Sequence, residues 1–185
     1  MRTIPRLSGA ALAVVLMLTA CVPTTTPAGP TPRPSATPVF ANEAEALAAA
    51  TKAYAAYQRT LDNAFSSYDT SILVEVADGA ALKKAIGSVL SYKKLGKQQT
   101  GEATIDTVSL VGGQAWTFAK NDTLRTKTYL CLDLSQVDVL GRDGRSVVPQ
   151  GSSRRFPILA TLAWHRSERA FLVEVDESWN GENFC

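Results

Sequence analysis

The stretch from Leu124 to Leu134, LRTKTYLCLDL, decides the fold. Leu124, Thr126, Thr128, Leu130, Leu132 and Leu134 fall on one side, and Arg125, Lys127, Tyr129, Cys131 and Asp133 on the other. A period of two with one apolar side predicts a half-buried strand. The same reading extends downstream. RFPILATLAWH, residues 155–165, puts Phe156, Ile158, Ala160, Leu162 and Trp164 together, and Pro157 suits a strand start or an edge. In ERAFLVEVDESW, residues 168–179, Phe171, Val173 and Val175 share a side, with Glu174 and Asp176 outward. GRDGRS at 141–146 reads as a turn. Upstream, Ile105 and Val108 lie in a Thr-rich, strand-like run that begins near Thr100, and VGGQ at 111–114 is a hairpin signal.

Further upstream the period changes. Leu47, Ala50, Tyr54, Tyr57, Leu61, Phe65 and Tyr68 recur at intervals of three and four, a single helical stripe. Asn42 and Glu45 have the spacing of a capping box at its start. Asp69, Thr70 and Ser71 interrupt it, a short helix is expected around Ile72 to Ala77, and Asp78-Gly79 marks a turn. A third helix is expected from about Ala80 to Gly96, with Leu82, Ile86, Val89 and Leu90 inward. The lysine pairs at 83–84 and 93–94 sit on its solvated side. Helices first and hairpin-linked strands after them predict an α+β domain, with helices on one face of an antiparallel sheet.

The front of the chain differs from all of this. Arg2 and Arg6 precede an apolar run of about eleven residues from Ala10 to Ala20. A membrane-spanning helix needs about twenty residues, so the run is too short to span and reads as a secretory signal peptide over residues 1–20. Leu18-Thr19-Ala20-Cys21 resembles the bacterial lipobox. That resemblance implies that the Cys21 thiol takes a diacylglyceryl group with palmitate-type chains and becomes the new N-terminus. An ordinary signal peptide with an incidental cysteine is the competing reading. From Val22 to Val39 the chain is nearly all Pro, Thr, Ala, Ser and Gly, with Arg33 its one charge. Such a segment cannot build a core. In extended polyproline form, at about 3.1 Å per residue, it would reach on the order of 50 Å. The expected organisation is a signal peptide (1–20), a lipidated cysteine with its stalk (21–40), and one domain (41–185).

Composition narrows the partners. The chain has 19 basic and 17 acidic residues. Arg2, Arg6 and Arg33 lie ahead of the domain, which is left close to neutral. A nucleic-acid binder would show a basic excess or stripe, so no nucleic-acid partner is expected. Beyond Cys21 two cysteines remain, Cys131 and Cys185. An even pair in an exported chain defaults to a disulfide, with two buried free thiols as the alternative. The chain-entropy model values a loop of that length at about 4 kcal/mol. His165 is the only histidine and no Cys-x-x-Cys occurs, so neither a metal nor a cofactor is expected.

The element order, with YLCLDLSQVDVLGRDGRSV and ILATLAWHRSERAFLVEVDESWNGENFC, resembles exported domains of the nuclear transport factor two-like (cystatin-like) cone in high-GC Gram-positive bacteria. The resemblance covers most of residues 41–185. It implies helices on a curved antiparallel sheet, a stalk with a lipid anchor, one cysteine at mid-sheet and one at the end, and a place at the outer side of the plasma membrane. It implies no mechanism.

Catalytic motifs are sparse. A Ser-His-Asp site would require His165 as base, but alternation sets His165 opposite the Trp164 side, near a turn. No P-loop, GxSxG or strand-linked GxGxxG is present. Cone folds can also act as isomerases or dehydratases through a carboxylate base and a Tyr or Asp donor. Asp133 and Tyr129, on one side of one strand, are the candidate pair, and Trp116, Phe118 and Trp164 are candidate pocket walls. The two readings are a tethered, non-catalytic binding or interaction module, and a small cone-fold enzyme acting on an apolar small molecule. An interior filled by Leu, Phe and Trp favours the first; a polar cavity with Asp133 in it favours the second.

Overall fold

The computed structural model describes residues 39–112 and 124–185. The signal peptide, Cys21, the stalk up to residue 38, Trp116, Phe118 and the end of the VGGQ turn lie outside the described residues.

Helix α1 (Glu43–Ser67) begins where the sequence places a cap. The Asn42 side chain accepts the Glu45 amide at 2.9 Å, and Glu45 Oε2 accepts the Ala41 amide at 2.7 Å. The first bond satisfies an amide that the helix itself leaves free, and the second fixes the chain entering the cap. The short helix expected around Ile72 to Ala77 is a five-residue 3₁₀ helix (Ser71–Glu75). Asp69 Oδ1 accepts the Ser71 amide at 2.9 Å and opens the turn. The Ala77 amide donates to the Leu73 carbonyl at 3.0 Å, and Ala77 then pairs with Val173 of a strand, which ends the turn. Helix α2 (Gly79–Leu95) ends at Gly96, whose φ of 65° is left-handed. Arg142 caps that end by donating to the carbonyls of Leu95 (3.1 Å) and Lys94 (3.0 Å).

The strands are β1 (Gln98–Thr100), β2 (Thr104–Leu110), β3 (Leu124–Asp133), β4 (Asp138–Leu140), β5 (Arg155–His165) and β6 (Ala170–Ser178). β2, β3, β5 and β6 form an antiparallel sheet in that order, and β1 pairs with β4 as a short separate ribbon. The fold is therefore α+β, with both helices against antiparallel sheets. β3 alternates as its sequence dictates: Leu124, Thr126, Thr128 and Leu130 are buried while Arg125 and Lys127 are exposed. The helix-facing core joins Ala46, Ala50, Tyr54 and Tyr57 of α1 to Leu130, Ile158, Ala160, Leu162, Phe171 and Val173 of the sheet. A second core of Ala64, Leu73, Ala85 and Val89 lies between the helices and the 3₁₀ turn.

Two expectations about orientation are corrected. Leu90 is 50% exposed, because Ala81, Ala85 and Val89 carry the buried side of α2. Asp176 points inward rather than outward. Between Thr161 and Leu162 the register of β5 against β6 shifts, so that Thr161 pairs with Val175 but Leu162 with Val173. Glu174 is the extra residue of a β-bulge, and an extra residue moves everything beyond it to the other face.

On the sheet's outer face, Cys131 and Cys185 form a disulfide with Cα atoms 5.7 Å apart. Among the described residues, no helix is long and apolar enough to cross a membrane.

Candidate functional site

The residues singled out from the sequence occupy separate places. Tyr129 and Asp133 share the outer face of β3 but stand four residues apart, roughly 13 Å along a strand. The Tyr129 ring packs edge-on against Trp179 (5.1 Å) and Phe184 (5.8 Å), over the disulfide-pinned end of the chain. Asp133 Oδ1 accepts the Ser135 amide at 2.7 Å, and that turn holds the carboxyl below its ordinary range. A low, hydrogen-bonded carboxylate is a poor proton acceptor near neutral pH. The two groups do not converge on a common point.

His165 ends β5 with both ring nitrogens facing carboxylates. Nε2 is 3.0 Å from Asp78 Oδ2, and Nδ1 is 3.8 Å from Glu168 Oε2. A general base needs one nitrogen free for substrate. The nearby Ser167 hydroxyl donates to Glu168 at 2.6 Å. The group ties the N-terminus of α2 to the β5–β6 turn, beside the Arg125–Glu174 ion pair (Nη2 to Oε1, 2.7 Å).

A third group was hidden by the bulge. With Asp176 turned inward, its Oδ1 accepts the Tyr54 hydroxyl at 3.0 Å, and Tyr54 in turn accepts Gln58 Nε2 at 3.1 Å. Lys84 Nζ closes the edge by donating to the Asp176 carbonyl at 2.7 Å. Burial, reinforced by the Asp176 charge, raises both Tyr54 and Tyr57 above the ordinary phenol value. Further along α1, the Asp62 carboxylate accepts Gln99 Nε2 (2.6 Å) and the Ala103 amide (2.9 Å). Burial raises Asp62 even against those bonds. No local sequence signal marks the Asp176 contact, since Glu174 is an unremarkable residue for a strand.

The concave site lies at the other end of α1. Ala49, Lys52 and Ala53 form one wall, and Trp164, Arg169, Ala170 and Phe171 of the β5–β6 hairpin the other, around a cleft of about 220 Å³. Its floor is aromatic. Trp164 meets Phe171 edge-on at 5.2 Å and Phe40 edge-on at 5.1 Å, and Phe40 stacks on Phe171 at 5.5 Å. Small Ala49 and Ala53 side chains leave the gap open. Trp164 was the one pocket-wall candidate that falls within the described residues. A larger, polar groove of about 420 Å³ runs beside β4. Its Arg154 already donates to the carbonyls of Leu134 and Val137, and its Asp138 accepts the Ser146 hydroxyl. Among the described residues no group of His, Cys, Asp and Glu could hold a metal ion.

No protein-family model matches the chain, and no curated protein matches it. Among solved structures it is similar to the intermembrane space region of the chloroplast protein ARC6, with a TM-score of 0.51 and 15% identity. The match covers 73% of this chain and 97% of that one, and at such identity the likeness is one of fold alone.

Proposed function

We propose that this chain is a membrane-anchored, extracytoplasmic lipoprotein whose domain is a non-catalytic binding module of the nuclear transport factor two-like class. Cys21 is its lipid attachment point at the outer face of the plasma membrane. The anchor reading rests on Leu18-Thr19-Ala20-Cys21 behind a short apolar run, and two acyl chains suffice for stable attachment. The binding reading rests on one observation: the preformed concavity of the domain over Trp164 and Phe171 is apolar-floored and carries no acid–base pair. Its occupant is a small, largely apolar molecule or a segment of another envelope protein.

A second reading, a small isomerase or dehydratase, draws on the Tyr54–Asp176 hydrogen bond, an acid–donor pair on the inner face of the sheet. That pair is packed into the helix–sheet interface, so the binding module is preferred.

Detergent phase separation of the protein expressed in a host with lipoprotein machinery tests the anchor. The full chain is expected in the detergent phase and Cys21→Ser in the aqueous one; equal partition would remove it. Single substitution of Asp133, Tyr129, His165 and Asp176 tests the module. Loss of turnover of a small substrate in any folded variant replaces it with the enzyme reading.

A further inference from the structure

We infer that the cleft between α1 and the β5–β6 hairpin binds a small aromatic carboxylate, with its ring on Trp164 and Phe171 and its carboxylate between Lys52 and Arg169. The inference deepens the binding-module reading and rests on it.

Three observations carry it. Lys52 and Arg169 both line the cleft, one from α1 and one from the β5–β6 hairpin, both are exposed, and neither is ion-paired among the described residues. Arg125 is engaged by Glu174, Arg155 by Asp106, Arg142 by the end of α2 and Lys84 by Asp176, whereas Lys52 and Arg169 stand open at the cleft with a Trp164–Phe171 floor. Two uncommitted cations above a ring-lined floor complement one anion on an apolar body, and a guanidinium fork suits a planar carboxylate.

Size sets the second limit. A dry apolar cavity of about 150 Å³ accepts a benzene ring, and drug-sized ligands need about 300 Å³ or more. A cleft of about 220 Å³ fits one ring with a short acid arm.

The third observation is conformational. Arg169 has a φ of 51°, in the left-handed region that glycine and asparagine occupy most readily. A long cationic side chain occupies a position whose backbone favours a small one, at the end of the β5–β6 turn that borders the cleft, and strained backbone clusters at ligand clamps.

Phenylacetate and its neutral counterpart 2-phenylethanol are the probes, titrated against the full chain in detergent with the Trp164 indole signal followed by NMR. Arg169→Asn keeps the left-handed turn while removing the charge, and Lys52→Gln keeps the helix. Phenylacetate is expected to bind more tightly than phenylethanol and to weaken with salt. The double variant is expected to lose about tenfold or more in phenylacetate affinity, with phenylethanol and thermal stability unchanged. Lys94→Gln, on the far end of α2, serves as the charge control and is expected to change nothing. Equal binding of both probes, or undiminished phenylacetate binding in the double variant, overturns the anion inference but leaves the cleft as a binding site. No shift with either probe overturns both.

Discussion

The two ends of α1 meet the sheet in opposite ways. From its middle toward its C-terminus, Tyr54 and Tyr57 fill the interface, Asp176 of β6 accepts the Tyr54 hydroxyl, and Asp62 accepts the Ala103 amide ahead of β2. Toward its N-terminal half, Ala49 and Ala53 stand over Trp164 and Phe171 and leave a cleft. The same helix against the same sheet is a sealed core at one end and a receptacle at the other. Side-chain volume at positions one helical turn apart makes the difference.

The largest break in that comparison is Tyr54→Ala. It removes a fully buried ring and leaves Asp176 and Gln58 without their partner. A loss of about 3–5 kcal/mol is expected, read as a shift in the chemical denaturation midpoint. A loss below about 1 kcal/mol would mean that the sealed half does not carry the fold.

A smaller effect comes from pH. Tyr54 and Tyr57 have folded-state values raised above that of the unfolded chain, chiefly by burial and then by Asp176. The protonated form is thus favoured by folding. Their contribution is complete below the unfolded phenol value of about 10 and fades as pH rises past it. Tyrosinate absorbance is expected to show these two of the five tyrosines ionising only as the protein unfolds. Early ionisation of all five would show that the interface is open to water.

The smallest change in stability is expected at the open end. Ala53→Leu puts a good helix former into space that is already there, at a cost below about 1 kcal/mol. It should also block phenylacetate. A large destabilisation would show that the cleft is too tight to be a receptacle.

Much of the helix–sheet framework was legible in sequence. The α1 stripe named Tyr54 and Tyr57, the cap at Asn42 and Glu45 follows from their spacing, and β3 alternates from Leu124 to Leu130 as its sequence requires. Cysteine parity anticipated the 131–185 bridge. The acid that meets Tyr54 was misplaced, because alternation carries a side chain's direction only as far as the next bulge, and a bulge at Glu174 leaves no compositional trace. The β1–β4 ribbon was missed for a related reason: three-residue strands are too short to show a period. The cleft could not be read at all. It is a gap between Ala49, Ala53 and a hairpin more than a hundred residues later, and sequence patterns mark what fills space rather than what leaves it empty.

The bulge has one more consequence, at the rim of the sheet. Val173 sits beside it, and its amide donates to the Val76 carbonyl at 3.0 Å while its carbonyl accepts the Asp78 amide at 3.0 Å. The middle of the outer edge of β6 is therefore already zipped to the segment entering α2. Around it runs AFLVEV, the kind of apolar, β-branched run that recruits strands from other molecules when its edge is bare. The clasp at residues 76–78 occupies the middle of that edge, where a strand of a second copy would otherwise pair, and so works against edge-to-edge assembly.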